Sequence, residues 1–292
     1  MWDVILDALI DSAKILPFLL AIYLVIEFLE GNEHAKDKTV RLLNGKFAPL
    51  VAGGVGLVPQ CGFSVMATDL YCQNYLKTGT LVAFFVATSD EALPLLLSSE
   101  KTIGVVWIVA LVKVVYAVAL GYLINAFDRR VLACTYEEHD DEGCCHHDMN
   151  GQKRNFWQFV KHPLLHTAKI FAYIFVVTAV FGLLLHYFEQ PITAFTSKLG
   201  IFQSFFTAAI GLVPNCASSV ILTGMYMMQA ADGASLISLP ALLAGLVANS
   251  GIALVVLFKD KTKLKRNLLI VAILYLAGVL CGVVAEAVCL LF

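Results

Sequence analysis

Charge is what this sequence has least of. Of its 292 residues only 14% are Asp, Glu, Lys or Arg, against 59% hydrophobic, and the mean hydropathy is +0.80. A water-soluble chain of this size carries far more charge, so the composition excludes a soluble globular protein and predicts an all-α integral membrane protein. A phosphate-binding loop is missing as well: no G-x-x-x-x-G-K-[ST] occurs, and no hydrophilic stretch is large enough to hold one, which excludes a primary pump on this chain alone. The N-terminus lacks the positive region of a secretory leader. It carries Asp3, Asp7 and Asp11 instead and reads as an amphipathic lead-in to the first span. Nothing points to an enzyme, a cofactor or a nucleic-acid partner; the expected partners are the lipid bilayer and a small-molecule or ionic substrate, with a homo-oligomer left open.

What is present is apolar and duplicated. Runs at 15–29, 81–97, 103–127, 170–188, 236–258 and 268–292 approach the roughly 20 residues that cross about 30 Å of hydrocarbon. Residues 56–71 read GLVPQCGFSVMATDLY and residues 211–226 read GLVPNCASSVILTGMY, an offset of 155 with nine of sixteen positions identical, which marks an internal repeat. Ala13-Lys14-Ile15 and Ala168-Lys169-Ile170 share that offset. Six extra residues around 230–236 then change it to 161, placing Val86-Ala87-Thr88-Ser89 on Val247-Ala248-Asn249-Ser250 and Gly121 on Gly282.

The basic residues orient the repeats. Four lie in 36–46, Lys77 stands alone, five lie in 129–161 and five in 259–266. These fifteen fall on one side, with only Lys101 and Lys198 in opposite-side loops, if 47–58 and 61–75 are separate membrane elements, whether short spans or arms of a re-entrant hairpin. Each half then has five elements, about ten in all. Five is odd, so the second half enters from the opposite face: an inverted 5+5 repeat with both termini outside, 128–165 in the cytoplasm, and the chain a multi-pass protein of the inner membrane. The predicted units are 1–127, the linker 128–155, and 156–292.

The polar residues inside this apolar chain are the candidate site. Pro59 and Pro214 suit the first turn of a helix, which predicts discontinuous helices at the Pro-Gln-Cys and Pro-Asn-Cys motifs. The amides of 60–63 and 215–218 would then be uncapped, with the positive end of a helix dipole behind them. Gln60, Cys61, Ser64, Asn215, Cys216, Ser218 and Ser219 gather there, against the alternative that membrane cysteines are packing residues. Cys72, Cys281 and Cys289 have no repeat counterpart and read as packing. Further on, Ser89, Asn249 and Ser250 are polar at equivalent positions. Asp90 and Glu91 are adjacent carboxylates, each costing at least about 2.5 to 3.5 kcal/mol in hydrocarbon, unless Ser98-Ser99-Glu100-Lys101 puts them near the membrane edge. Asp69 is a third candidate for a proton path. Lys113, deep in an apolar run, predicts a buried ion pair with Glu286, Asp90 or Glu91.

The linker carries Cys144, Cys145, His146 and His147 with His139 and several carboxylates. Thiolate and imidazole suit Zn(II) or Cu(I), yet the spacing is not that of a folded zinc module. A flexible metal-capture segment and an adventitious acidic loop both fit.

GLVPQCGFSV, TSDEALPLLL, GLVPNCASSV and ALLAGLVANSGIALVVLF together resemble the ten-span heavy-metal exporter family, also labelled arsenic efflux or manganese transporter proteins, and are distantly similar to the organoarsenical permeases. The resemblance runs over essentially the whole chain. It implies export of a metal, metalloid or arsenical, with Pro59, Gln60, Cys61, Ser64, Ser89, Asp90, Glu91, Pro214, Asn215, Cys216, Ser219, Asn249 and Ser250 at the family's motif positions. Joined to the missing nucleotide site, it predicts a secondary transporter that exchanges protons through Asp90, Glu91 or Asp69. The residues alone also admit an anion held at the paired helix N-termini, a membrane metal sensor built on the linker, and a channel.

Overall fold

A computed structural model of the chain describes residues 45–58, 61–72, 75–89, 91–99, 102–127, 200–228, 235–259 and 264–291, with scattered positions between 9 and 196. The spans expected around 15–29 and 170–188, the linker 128–155 and its four proposed metal ligands lie outside these, apart from isolated residues. Every regular element among the described residues is a helix, the form in which an apolar segment satisfies its own backbone in lipid.

In chain order the α-helices are α1 (Ala48–Gly56), α2 (Cys61–Cys72), α3 (Thr78–Ala87), α4 (Ala92–Leu97), α5 (Ile103–Phe127), α6 (Gln203–Gly211), α7 (Cys216–Met227), α8 (Leu239–Ala248), α9 (Ala253–Leu257) and α10 (Leu264–Leu291), with a 3-10 turn at Gly200–Phe202 leading into α6. The starts of α6 and α7 lie 155 residues after those of α1 and α2, and the starts of α8, α9 and α10 lie 161 after those of α3, α4 and α5. Four stretches are long and apolar enough to cross a membrane: Thr78–Leu97, Ile103–Phe127, Leu239–Leu257 and Leu264–Leu291. At 1.5 Å per residue, α1 and α2 rise only about 14 and 18 Å, so neither crosses the hydrocarbon alone.

The spans divide by what they touch. Helices α5 and α10 expose Trp107, Leu111, Val115, Leu268, Leu276 and Val284. Such stripes are too apolar for water and face lipid in a bilayer. Helices α3 and α8 are buried along nearly their whole length. They are the core: α1 and α5 flank α3, α6 and α10 flank α8, and α3 packs on α8.

Small residues let these backbones meet. A Cβ added to Gly121 would lie 2.8 Å from Ala83 Cβ and 2.9 Å from Pro49 Cβ, and one added to Gly282 would lie 2.7 Å from both Ala244 Cβ and Ser204 Oγ. Residues 49, 83 and 121 carry over to 204, 244 and 282 at the same two offsets, so the three-helix junction in each half is built alike. Without a hydrophobic drive between helices in lipid, this close approach is what holds them together.

Both core helices stop inside the bundle. Thr88 caps α3 at φ −53°, ψ 126°, and Asn249 caps α8 at φ −72°, ψ 125°, an extended conformation that ends the helix at equivalent positions. After the second break Gly251 takes φ +57° and its N–H donates to Asn249 Oδ1 at 2.9 Å. A side chain in that left-handed region costs roughly 1–2 kcal/mol. The G251A variant is therefore expected to melt at lower temperature by that amount of stability in a detergent unfolding series; an unchanged melt would show that the turn is not held in this conformation.

Candidate functional site

The breaks at 88–91 and 249–252 gather the buried polarity. Thr88, Ser89, Asn249 and Ser250 are all buried, although they sit in the most apolar layer of the fold. Each motif helix reaches the opposite half: α2 packs on α9, just past the second break, and α7 packs on α4, just past the first. Ser64 and Asp69 of α2, and Cys216, Ser218, Ser219 and Thr223 of α7, are buried on these helices. The motif polarity and the break polarity of the two halves are thereby interleaved.

At the second motif the structure corrects one expectation. Pro214 lies in a bend outside the helix and not in its first turn, and Asn215 is the N-cap of α7. Its Oδ1 accepts from Ala217 N–H at 3.0 Å. The amides there are not left uncapped, because an asparagine in extended conformation (φ −151°, ψ 140°) offers its carboxamide to the first turn more cheaply than any distant group. Ser218 Oγ donates to Asn215 O at 2.8 Å and Ser219 Oγ to Cys216 O at 2.7 Å. These bonds fold both hydroxyls back on the first turn and leave their oxygen lone pairs as acceptors. Pro59, Gln60 and Asp90 lie outside the described residues, as does the side chain of Cys61. Glu91 is half-buried and immediately precedes α4.

Two buried hydroxyls, Ser250 Oγ and Thr223 Oγ1, find no hydrogen-bond partner among the described residues. An unmade bond of this kind costs about 1–3 kcal/mol. Their first-half counterparts are engaged: Thr68 Oγ1 donates to Ser64 O at 2.9 Å and Ser89 Oγ to Ala87 O at 3.1 Å. In these two equivalent pairs the spare hydroxyl is each time the one in the second half.

The residue whose carbonyl partners the sequence did not show is Lys113 of α5. It is fully buried, and together with Asp69 it is one of two buried charged side chains among the described residues. Both come from the first half; the second has Leu274 and Gly224 at the matching offsets. Its ammonium donates to Thr88 O, the cap of α3, and to Leu246 O in the last turn of α8 at 2.8 Å. Backbone carbonyls freed by two helix ends accept these two hydrogen bonds; Asp90, one of the expected carboxylate partners, lies outside the described residues. A helix end carries roughly half a negative charge, so two of them offset much of the cost of a buried cation, about 2.5–3.5 kcal/mol on insertion scales. A lysine in an apolar run close to two polar breaks was the available signal.

The family described as "Putative, 10TM heavy-metal exporter" matches residues 1–160, more than half of the chain. No curated protein and no solved structure matches it.

Proposed function

Because this chain belongs to the ten-span heavy-metal exporter family, we propose that it is a secondary active transporter that carries a soft metal, metalloid or arsenical out across the inner membrane in exchange for protons. Its two halves act as inverted repeats that rock about a site at the two breaks. The observation that carries this reading is the pair of interrupted core helices: two helices, equivalent at an offset of 161, stop at Thr88 and Asn249 in the deepest layer of the fold, where broken backbone is tolerated only beside protein or a cavity. The duplicated helix starts support the repeat.

The roles follow from chemistry. Cys61 and Cys216, one per motif, supply the thiolates that soft cations and trivalent arsenic prefer. Gln60, Asn215, Ser64, Ser218 and Ser219 line the motif turns, with Pro59 and Pro214 setting the bends that open them. Ser89, Asn249 and Ser250 line the crossing, and Asp90, Glu91 and Asp69 carry the exchanged protons. Cys144, Cys145, His146 and His147 collect metal on the cytoplasmic side and hand it to the site. An anion cargo has less support, since Asn215 already occupies the Ala217 amide that an anion would need.

Proteoliposomes holding the full-length chain or the C61S/C216S variant distinguish these cargoes. With arsenite and Cd²⁺ as probes, the double variant is expected to lose at least about tenfold in transport rate while it remains folded, the order of a lost metal ligand's contribution. Undiminished transport of both probes would overturn the thiolate role and return the anion reading.

A further inference from the structure

We infer that Lys113 is a positioning residue for transport: its ammonium is the fixed cation that pins the C-terminal ends of the two broken helices, one from each half, against each other. The inference goes beyond the proposed transport cycle but rests on its repeat equivalence at one point, the exchange described below.

Two helix ends that meet in a buried interior should separate. The last carbonyls of a helix have no partner within it, and they form the negative pole of its dipole. In this fold α3 and α8 pack on each other and both end at their breaks. Like poles therefore converge among buried residues, where their repulsion is screened less than it would be in bulk water. Lys113 resolves this with one group, which bonds Thr88 O in the first half and Leu246 O in the second. Its other end is anchored on α5, which packs on α3. A neutral side chain of the same length would still fill the volume, yet the two poles would face each other uncompensated.

The position of Lys113 along α5 adds an independent argument. Tyr116, one turn later, donates its hydroxyl to Ala277 O at 3.0 Å, and 116 and 277 are separated by 161. Residues related by a repeat touch each other only close to the axis that relates them. The pin therefore lies beside that axis, where one cation reaches both helix ends and a second would be redundant. Leu274, the residue at the matching offset, is also fully buried. From the same neighbourhood on α10, a lysine there would meet the same two poles from the other side. The pin fixes how Ser89, Asn249 and Ser250 face each other, and it does so without touching the cargo.

The test is hydrogen–deuterium exchange of the full-length chain in nanodiscs, read on peptides covering 86–91 and 247–252, with arsenite transport measured alongside. K113Q is expected to speed exchange at least tenfold at both breaks, including the one in the half that does not carry the lysine. K113R, which keeps the charge, stays within about threefold of the parent. The K113L/L274K exchange restores protection that K113L alone loses. A K113Q protein with unaltered exchange at 247–252, or a K113R protein that exchanges as fast as K113Q, overturns the pin. If K113Q does not fold, K113R and K113L/L274K still decide the matter. Failure of K113L/L274K beside a protected K113R leaves the pin standing and overturns the repeat equivalence instead.

Discussion

Proteoliposomes containing the D90N/E91Q variant are expected to show at least about a hundredfold loss of transport driven by a pH gradient, the size of effect that a missing proton carrier produces. They should keep cargo exchange driven by the cargo's own gradient. Glu91 directly precedes α4 and belongs to the same break as Thr88, whose carbonyl accepts from Lys113. On the proposed reading a carboxylate there takes up a proton on one side of the membrane and releases it on the other, which its amide cannot do. The amides have nearly the shape of the acids they replace, so packing survives while titration does not. Retained exchange separates lost coupling from lost structure. Full pH-driven activity in D90N/E91Q would remove both residues from the mechanism and leave Asp69, buried on α2, as the remaining candidate.

The second large effect concerns assembly. A Cβ on Gly211, at the end of α6, would run into the backbone of Gly245 in α8, its carbonyl oxygen first. A flexible side chain can rotate away from such a clash, but the obstacle here is main chain inside a helix. G211V must therefore force α6 from α8 and displace the Pro214-Asn215-Cys216 turn that follows immediately. Overpacking of this kind costs about 3 kcal/mol or more at the severe end. We expect G211V to yield little or no monodisperse protein on size exclusion. G54A is the control: a Cβ at Gly54 of α1 meets nothing within 4 Å, so this variant should match the parent within about 0.5 kcal/mol. A well-behaved G211V protein would show that α6 and α8 are not in backbone contact.

The duplication was legible because it is written in residue types that cannot be exchanged freely. Pro214, Asn215 and Cys216 repeat Pro59, Gln60 and Cys61, and the offset of 161 further on anticipated that α8 and α10 would start where they do. The breaks at Thr88 and Asn249 were legible only as polarity. Thr88 sits in a run whose hydropathy suits a continuous span, and nothing local stops the helix there, since its own hydroxyl donates to Phe84 O as a mid-helix threonine's would. The stop becomes affordable through tertiary bonds: Lys113 takes the freed carbonyl from 25 residues away, and Leu246 from 133 away. Those separations are invisible to any window on the sequence. The same holds for the two carbonyls that the ammonium bonds, since an exposed helix end cannot be seen in a sequence. At the second motif the error was one of register. Proline's liking for the first turn was weighed above asparagine's for the cap, and Asn215, one residue later, took the cap.

The glycine junctions carry a consequence for motion. Where Gly121 admits Pro49 and Ala83, and Gly282 admits Ser204 and Ala244, there is no layer of side chains left to reshuffle. Helices joined in this way travel as one slab. Changes of shape then fall outside these junctions, as where α2 lies on α9 and α4 on α7. The motif helices α2 and α7 each take part in one of these contacts, so on the proposed reading the elements left free to slide are the ones that would touch the passenger.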